Sequence, residues 1–204
     1  MREAYMNNTI IDMDILFEGV FQKIVSPDFG QNLGGELPLF IQPIPVCKQS
    51  ELKGQTNRLV SRLAKKDKHS IIIDLYELCI RILEEEGVLQ TLLEEEKELD
   101  EDAISSTMDS LLDIKEVVIP RISQIITDEN PDFAFITGVG RVYPFLRSHG
   151  VLNNIEELAN NCNLVLFFPG EYNNLQLSLF GIISDENYYR GHNLNEIKCS
   201  YDNI

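Results

Sequence analysis

Basic residues are scarce in this sequence. It carries 17 lysines and arginines against 33 aspartates and glutamates, which gives a formal net charge of −16 and a pI near 4.5. Proteins that bind duplex DNA draw most of their nonspecific affinity from Lys and Arg side chains that neutralise phosphates. The charge balance therefore argues against unaided binding of nucleic acid, and it favours basic partners instead.

Cysteine and histidine are also sparse, and they are widely spaced. No C-x-x-C pair and no closely spaced Cys/His pair supplies the ligand spacing of a structural zinc site. We therefore expect free thiols in a reducing compartment, no bound metal and no cofactor. The four cysteines are Cys47, Cys79, Cys162 and Cys199, and the three histidines are His69, His149 and His192.

Long apolar runs are missing as well. Nowhere do about 18 apolar residues follow one another, as a membrane-spanning helix requires. The first residues are acidic and amphipathic, and they lack the basic start and apolar core of a secretion signal. We expect a cytoplasmic protein that does not contact a membrane.

Complete catalytic motifs are absent too. The run Gly138-Val139-Gly140-Arg141 follows an apolar strand, but it lacks the third glycine of a dinucleotide fingerprint and the Gly-Lys-Ser/Thr of a Walker A loop. Ser148-His149, with Asp185 or Glu186, offers the residue types of a hydrolase triad, but no G-x-S-x-G elbow surrounds the serine. We therefore predict no catalytic residues and no enzymatic activity.

What is present is a buried strand, Phe133–Thr137, that runs directly into a glycine turn and a basic helix start. Ligands of open α/β sheets bind beyond the carboxyl ends of strands, where helix starts offer free N–H groups. The turn, Arg141 and Arg147 could therefore contact an anion or a nucleotide. Alternatively, the glycines serve close packing and the arginines bind neighbouring carboxylates or a partner.

Apolar periodicity predicts alternating helices and strands. Ser50 is expected to cap the second helix, the strand at 70–74 to be fully buried, and Pro120 to kink or divide the helix at 103–127. Strands 133–137 and 164–168 are expected to be adjacent inner strands. The predicted helices cover 10–25, 50–66, 75–86, 103–127 and 142–160, and the predicted strands cover 37–44, 70–74, 133–137, 164–168 and 175–183.

This order predicts an α/β protein with a mainly parallel central sheet flanked by helices. The expected core has three layers, P-loop-NTPase-like or Rossmann-like, without a Walker A motif. We expect a single domain over 1–204 with an acidic helical segment at about 84–127. That segment is a solvated helical face or, alternatively, a surface for a basic partner or a mimic of DNA.

A second candidate surface follows the last predicted strand. Tyr188, Tyr189 and Arg190 are residue types that anchor protein interfaces, although burial of one tyrosine in the core is the alternative. The candidate residues for binding a ligand or partner are Thr137, Gly138, Gly140, Arg141, Arg147, Tyr188, Tyr189 and Arg190.

These segments resemble the BrxB family, the small component of the bacterial BREX phage-defence systems. The resemblance covers most of the chain and is weakest around 94–116. The motifs that carry it are LPLFI at 37–41, IDLYELCIRILEEEG at 73–87, ITGVGRVYPFLRSHGVLNNI at 136–155, LVLFFPGEY at 164–172 and LFGIISDENYYR at 179–190. The last three of these motifs are the most specific.

The resemblance implies a non-enzymatic accessory protein that acts beside a DNA methyltransferase, a large ATPase and PglZ, an alkaline-phosphatase-like protein. We expect an adaptor that docks PglZ and supports assembly with the other two components. The alternative function is a regulatory module that responds to nucleotide or nucleic acid through the Gly138–Arg141 turn. The motif residues that carry over are Thr137, Gly138, Gly140, Arg141, Tyr143, Pro144, Arg147, Pro169, Gly170, Tyr188, Tyr189 and Arg190.

Overall fold

A computed structural model describes residues 12–30, 33, 36–95, 100–146, 148–155, 158, 162–184 and 187–198. Its strands are β1 (Leu39–Ile44), β2 (Ser70–Asp74), β3 (Phe133–Thr137), β4 (Asn163–Asn173), β5 (Gln176–Leu179), β6 (Ile183–Ser184) and β7 (His192–Asn193). Its α-helices are α1 (Met13–Val25), α2 (Gln49–Ala64), α3 (Leu75–Glu85), α4 (Leu89–Glu95), α5 (Glu101–Leu111), α6 (Ile119–Glu129), α7 (Val139–Val142) and α8 (Ser148–Ile155).

The strands form one sheet in the order β2-β3-β4-β1-β7, and every pairing along this path is parallel. The second half of β4 continues beyond its parallel neighbours and pairs with β5 in an antiparallel hairpin, to which β6 adds. The predicted α/β class with a mainly parallel, helix-flanked sheet is therefore confirmed. The two strands expected to be adjacent, β3 and β4, are neighbours inside the sheet.

Alternate strand residues face two different layers of helices. One side of the sheet carries Phe135, Phe167 and other aromatic residues, which pack with α1 and α2. The other side carries Ile136, Leu166 and other aliphatic residues, which pack with α3 and α6. Because both faces of a parallel sheet are covered, its inner strands are continuously apolar, which explains why they could be recognised from the sequence.

Several predicted elements differ in detail. Ser50 lies inside the first turn of α2, which begins at Gln49 without a side-chain cap, so its predicted capping role is wrong. Strand β2 lies at the edge of the sheet and is only partly buried. The predicted helix 103–127 is divided at Leu112, before Pro120, by a π-helical turn at Ile114–Val118.

Two more predicted elements are broken up. The helix expected over 142–160 is replaced by α7 and α8, and Pro144 lies between them, where its missing N–H cannot continue a helix. The strand expected over 175–183 is β5 followed by a turn and β6. Within the described residues, no helix has the length and apolar character needed to cross a membrane.

Candidate functional site

The carboxyl ends of β2 and β3 meet at one point of the sheet. Asp74, the last residue of β2, is in register with Thr137, the last residue of β3. Helix α3 begins directly after the first strand, and Gly138 and α7 follow the second. The chain therefore collects two strand ends and two helix starts where α/β proteins keep their ligand sites.

The Asp74 carboxylate is the centre of this arrangement. One of its oxygens caps α3 by accepting hydrogen bonds from the N–H groups of Tyr76 and Glu77, both at 3.1 Å. The other oxygen accepts a hydrogen bond of 2.9 Å from the Thr137 hydroxyl and an ion-paired bond from the Arg141 guanidinium. The side chain of Asp74 is only 14% exposed, so this carboxylate is anchored on both sides.

Arg141 is held in place by two neighbours. Besides its ion pair with Asp74, its guanidinium lies over the ring of Tyr76, 4.9 Å from the ring centre. Both side chains are exposed, and cation–π contacts at exposed sites contribute about 0.5–1 kcal/mol. The positive charge that the sequence offered to an anion is therefore already matched by a carboxylate of the same chain.

The two glycines of the turn serve close packing. Gly138 has a φ of +82°, and a Cβ atom there would lie 2.6 Å from Asp74 Oδ1. A Cβ on Gly140 would lie 2.7 Å from the ring of Phe180 and 3.0 Å from Pro169 Cγ. The packing alternative therefore describes what the glycines do here.

A cleft of about 860 Å³ opens beside this junction. Thr137, Gly138, Gly140 and Arg141 line one part of it. Its other walls come from α2, α3 and α6, so it extends well beyond the glycine turn. The four predicted residues of the turn are therefore brought together, and they border a much larger surface than the motif indicates.

The remaining predicted residues lie elsewhere. Tyr188 is 72% exposed, whereas Tyr189 is buried, as the core-packing alternative expects for one of the two. Arg190 is exposed and lines a second cleft of about 500 Å³, formed by the tip of the β4–β5 hairpin and the segment around β7. Arg147 lies outside the described residues.

Tyr172 fixes this second region. Its buried hydroxyl lies 2.8 Å from the carbonyl oxygens of both Tyr189 and Gly191 and donates its single proton to them. Burial raises the pKa of Tyr172 to about 12, which keeps the hydroxyl protonated and able to donate. The C-terminal segment is thereby tied to β4, and Tyr188 is left at the surface.

The cysteines and acids carry no assembled chemistry in the part of the chain that the structure describes. Burial raises the pKa of Cys79 to about 12 and that of Cys162 to about 11, so both are poor nucleophiles, while Cys47 is exposed. No three described His, Cys, Asp or Glu residues are grouped as metal ligands. Asp185, Glu186 and Cys199 lie outside the described residues.

Sequence reasoning did not single out Asp74, the residue that joins the two strand ends. The motif Ser-Ile-Ile-Ile-Asp predicted a strand. An aspartate before a helical pattern also indicates a helix N-cap, so the capping role of Asp74 could have been predicted from the sequence. Its pairing with Arg141 joins residues 67 positions apart. No local pattern reveals a contact of that separation.

The fold and the site together define a class: a three-layer α/β protein whose glycine turn at the carboxyl edge is filled by its own ion pair. Within this class, the chain belongs to the BrxB family. The family model described as "BREX protein BrxB" matches residues 71–194, from β2 to just beyond β7. The chain is thus a component of a bacterial BREX antiviral defence system.

Curated relatives agree with this assignment. The chain is 36% identical to BREX protein BrxB of Bacillus cereus (strain H3081.97), over 86% of this chain and 93% of the relative. It is 22% identical to BREX protein BrxB of Escherichia coli O9:H4 (strain HS), over 79% of this chain and 80% of that protein. No solved structure matches the chain.

Proposed function

We propose that the protein is a non-enzymatic adaptor that docks PglZ and supports its assembly with the large ATPase and the DNA methyltransferase of the BREX system. The observation that carries this proposal is an exposed surface formed by Leu175, Tyr188 and Arg190, called here the tyrosine surface. Tyrosine and arginine are the side chains that most often dominate the energy of protein interfaces.

The hairpin tip supports a binding role for this surface. Asn174 and Leu175 are the two central residues of the turn between β4 and β5, with φ of +50° and +65°. Such turns favour glycine at these positions, and the left-handed conformation is sterically unfavourable for leucine. Leu175 is also 50% exposed, so neither the turn geometry nor packing in the core explains why a leucine occupies this position. A partner that covers the leucine side chain would explain it.

The tyrosine surface is continuous across the two chain segments. The N–H of Tyr189 donates a 2.9 Å hydrogen bond to the carbonyl of Leu175, which places the neighbouring Tyr188 beside the hairpin tip. Tyr188 is 72% exposed. Leu175 and Arg190 line the same cleft, and the exposed Tyr188 precedes the residue that joins the two segments, so an apolar, an aromatic and a guanidinium side chain belong to one region, as in the central contacts of many protein complexes.

The experiment is size-exclusion chromatography with light scattering of the protein mixed with its cognate PglZ at micromolar concentration, at low and at high salt. The proposal expects co-elution with a defined stoichiometry. It also expects Tyr188→Ala to weaken the complex, because the ring would no longer be buried at the interface.

Ile15→Ala is the matched control, since Ile15 on α1 is likewise 72% exposed but lies on a different element. It should co-elute as the unmodified protein does. Separate elution of the unmodified protein from PglZ at low salt would rule out direct docking. An equal loss from both variants would remove the tyrosine surface from the proposal.

A further inference from the structure

The outer flank of β2 carries unused backbone hydrogen-bonding groups. Among the described strands, β2 ends the sheet and pairs with β3 alone. The N–H of Phe133 donates to the carbonyl of His69, at 3.3 Å, which sets the alternation along the strand. The backbone groups of Ile71 and Ile73 then face β3, and those of Ile72 point away from it.

Strand β2 itself contains none of the features that usually prevent a sheet edge from pairing. Proline, lysine and β-bulges on the edge strand protect many natural sheets. The sequence of β2 is Ser-Ile-Ile-Ile-Asp, and its pairing with β3 is unbroken from Ser70 to Asp74. Ile71 and Ile72 are only half-buried. The flank is therefore apolar and regular, which is the form that accepts an additional strand.

The larger of the two clefts runs along this flank. Ile72 lines it, residues of α2 form one wall, and residues of α3 and α6 form the other. Because α2 and α3 cover opposite faces of the sheet, a cleft that touches both borders the edge of the strand. Its volume of about 860 Å³ provides room for an extended chain segment beside β2.

Carboxylates outnumber cations in this cleft. Four carboxylates and three lysine or arginine side chains line it. Lys53 pairs with Glu77 at 2.7 Å, and Arg141 pairs with Asp74. Among the described residues, the lining charges that no lysine–acid or arginine–acid pair matches are those of Arg81, Asp128 and Glu129. The unmatched charge of the cleft is therefore negative, and both unmatched acids belong to α6.

These two acids lie where negative charge is unfavourable. Both are in the last turn of α6, which carries no basic residue, so they add to the negative end of the helix dipole. Asp128 accepts a 2.7 Å hydrogen bond from the neutral amide of Gln124, and Glu129 lies 3.9 Å from His69, an imidazole that is charged only when protonated. His69 directly precedes β2, so the acids stand beside the start of the free edge. A cation would be stabilised there by the carboxylates and by the helix end.

The surrounding charges do not reverse this preference for a cation. The turn before β2 contains lysines that neither line the cleft nor pair with the acids of α6, namely Lys65, Lys66 and Lys68. The formal net charge of −16 attracts basic segments at long range. A segment beside β2 is therefore bound best when it carries lysine or arginine near the start of the strand.

We propose that the free edge of β2 and its cleft bind an extended basic segment of a partner protein by strand addition. The main chain of the segment pairs with the outward backbone groups of Ile72, and one of its lysine or arginine side chains meets Asp128 and Glu129. This docking site is separate from the tyrosine surface, and the inference does not rest on the adaptor function.

The test uses two short fluorescent peptides with capped ends, one alternating valine with lysine and the other valine with glutamate. Fluorescence anisotropy with the full chain at low salt should give an affinity for the lysine peptide about tenfold or more above that for the glutamate peptide. Asp128→Asn combined with Glu129→Gln should lower the affinity for the lysine peptide by about tenfold. Asp109→Asn combined with Glu116→Gln is the control, because it removes the same net charge at two exposed positions outside the cleft. It should change the affinity by less than about twofold.

Hydrogen exchange followed by NMR tests the backbone pairing without any substitution. The amide of Ile72 points away from β3 and should exchange rapidly in the free protein, whereas the amides of Ile71 and Ile73 are protected by the ladder. Saturation with the lysine peptide should slow exchange at Ile72 by about tenfold or more. Attraction between charges alone would leave the exchange at Ile72 unchanged.

Several results would overturn the proposal. They are no binding of the lysine peptide up to about 1 mM, equal affinity for both peptides, equal losses from the two double variants, or exchange at Ile72 that the peptide does not slow. Slow exchange at Ile72 before any peptide is added would also overturn it, because a second copy or another segment of this chain would then occupy the edge. Loss of the lysine peptide in Tyr188→Ala would overturn it as well, since the tyrosine surface would then be the binding site.

Discussion

At the scale of single residues, two features build the site. A carboxylate and a guanidinium neutralise each other, and a glycine lets the backbone approach that carboxylate closely. Asp74 caps a helix, binds a threonine hydroxyl and pairs with Arg141, so one carboxylate satisfies three neighbouring structures. Gly138 makes this possible because no side chain stands between the turn and the carboxylate. The glycine–arginine motif is therefore accounted for by its own internal contacts.

Gly138→Ala should destabilise the protein. The alanine would adopt a left-handed conformation and place its Cβ atom 2.6 Å from Asp74 Oδ1, so we expect a loss of about 1–2 kcal/mol or more in the free energy of unfolding. Urea denaturation measures it. Gly54→Ala is the control, because Gly54 lies inside α2 with open space at its Cβ position. It should gain about 0.5–1 kcal/mol. Equal effects at the two positions would refute the packing role of Gly138.

Leu175→Gly should separate stability from binding. Glycine after Asn174 is the preferred pair for a two-residue hairpin turn, so the free energy of unfolding should rise by about 1 kcal/mol. Affinity for PglZ should fall at the same time, because the exposed leucine side chain would be missing from the interface. Thermal denaturation and titration of the complex give the two quantities. A variant that gains stability and binds PglZ as before would show that Leu175 has no part in docking.

At the scale of elements, the C-terminal segment depends on one long contact. Tyr172 of β4 holds the carbonyls of Tyr189 and Gly191, and β7 follows at once and pairs with β1. The hydroxyl is the link between the hairpin and the last strand. Removing it should loosen this segment without changing the rest of the sheet.

Tyr172→Phe tests this link. We expect a loss of about 1–2 kcal/mol in the free energy of unfolding, since two buried carbonyls lose their donor. Hydrogen exchange followed by mass spectrometry should show faster exchange over 188–194 and unchanged exchange in β3. Uniform acceleration across the sheet would instead mean that the hydroxyl supports the global fold and not the local attachment.

The elements also show what a sequence can and cannot predict. Strand β3 was predicted with its observed bounds, because five consecutive buried residues, all nonpolar except the last, leave few alternatives. Strand β7 was missed, since two residues carry no periodicity. Strand β1 contains Pro43 although it lies between two partner strands. The proline is tolerated because β7 reaches only Phe40 and Ile41, and its side of the ladder is free of pairing at that position.

The candidate site was likewise predictable from the sequence only in part. The glycine turn was found because its residue types are locally unusual, whereas the contact between Asp74 and Arg141 depends on the pairing of β2 with β3. The exposure of Tyr188 beside the buried Tyr189 was likewise not decidable from adjacent identical residues. Both the contact of Asp74 and the different exposure of the two tyrosines depend on tertiary hydrogen bonds, which leave no pattern in the local sequence.

At the scale of the whole molecule, charge limits the partners. With a formal net charge of −16, the protein repels phosphate-bearing polymers at long range. Helices α4 and α5, with the turn before α6, carry much of this charge on a segment whose partner stays a prediction. Contacts with nucleic acid in a BREX complex would then be made by other components.

The protein alone should therefore not bind DNA. With labelled duplex DNA at low salt and on the order of 10 μM protein, we expect no change in anisotropy, since few cations are available to release condensed counterions. Polylysine is the positive control, and it should bind at low salt and dissociate at high salt because exposed charges are screened within about 10 Å at 0.1 M salt. DNA binding that weakens steeply with salt would show a cationic patch strong enough to overcome the net charge. It would also support the alternative of a nucleic-acid-responsive module.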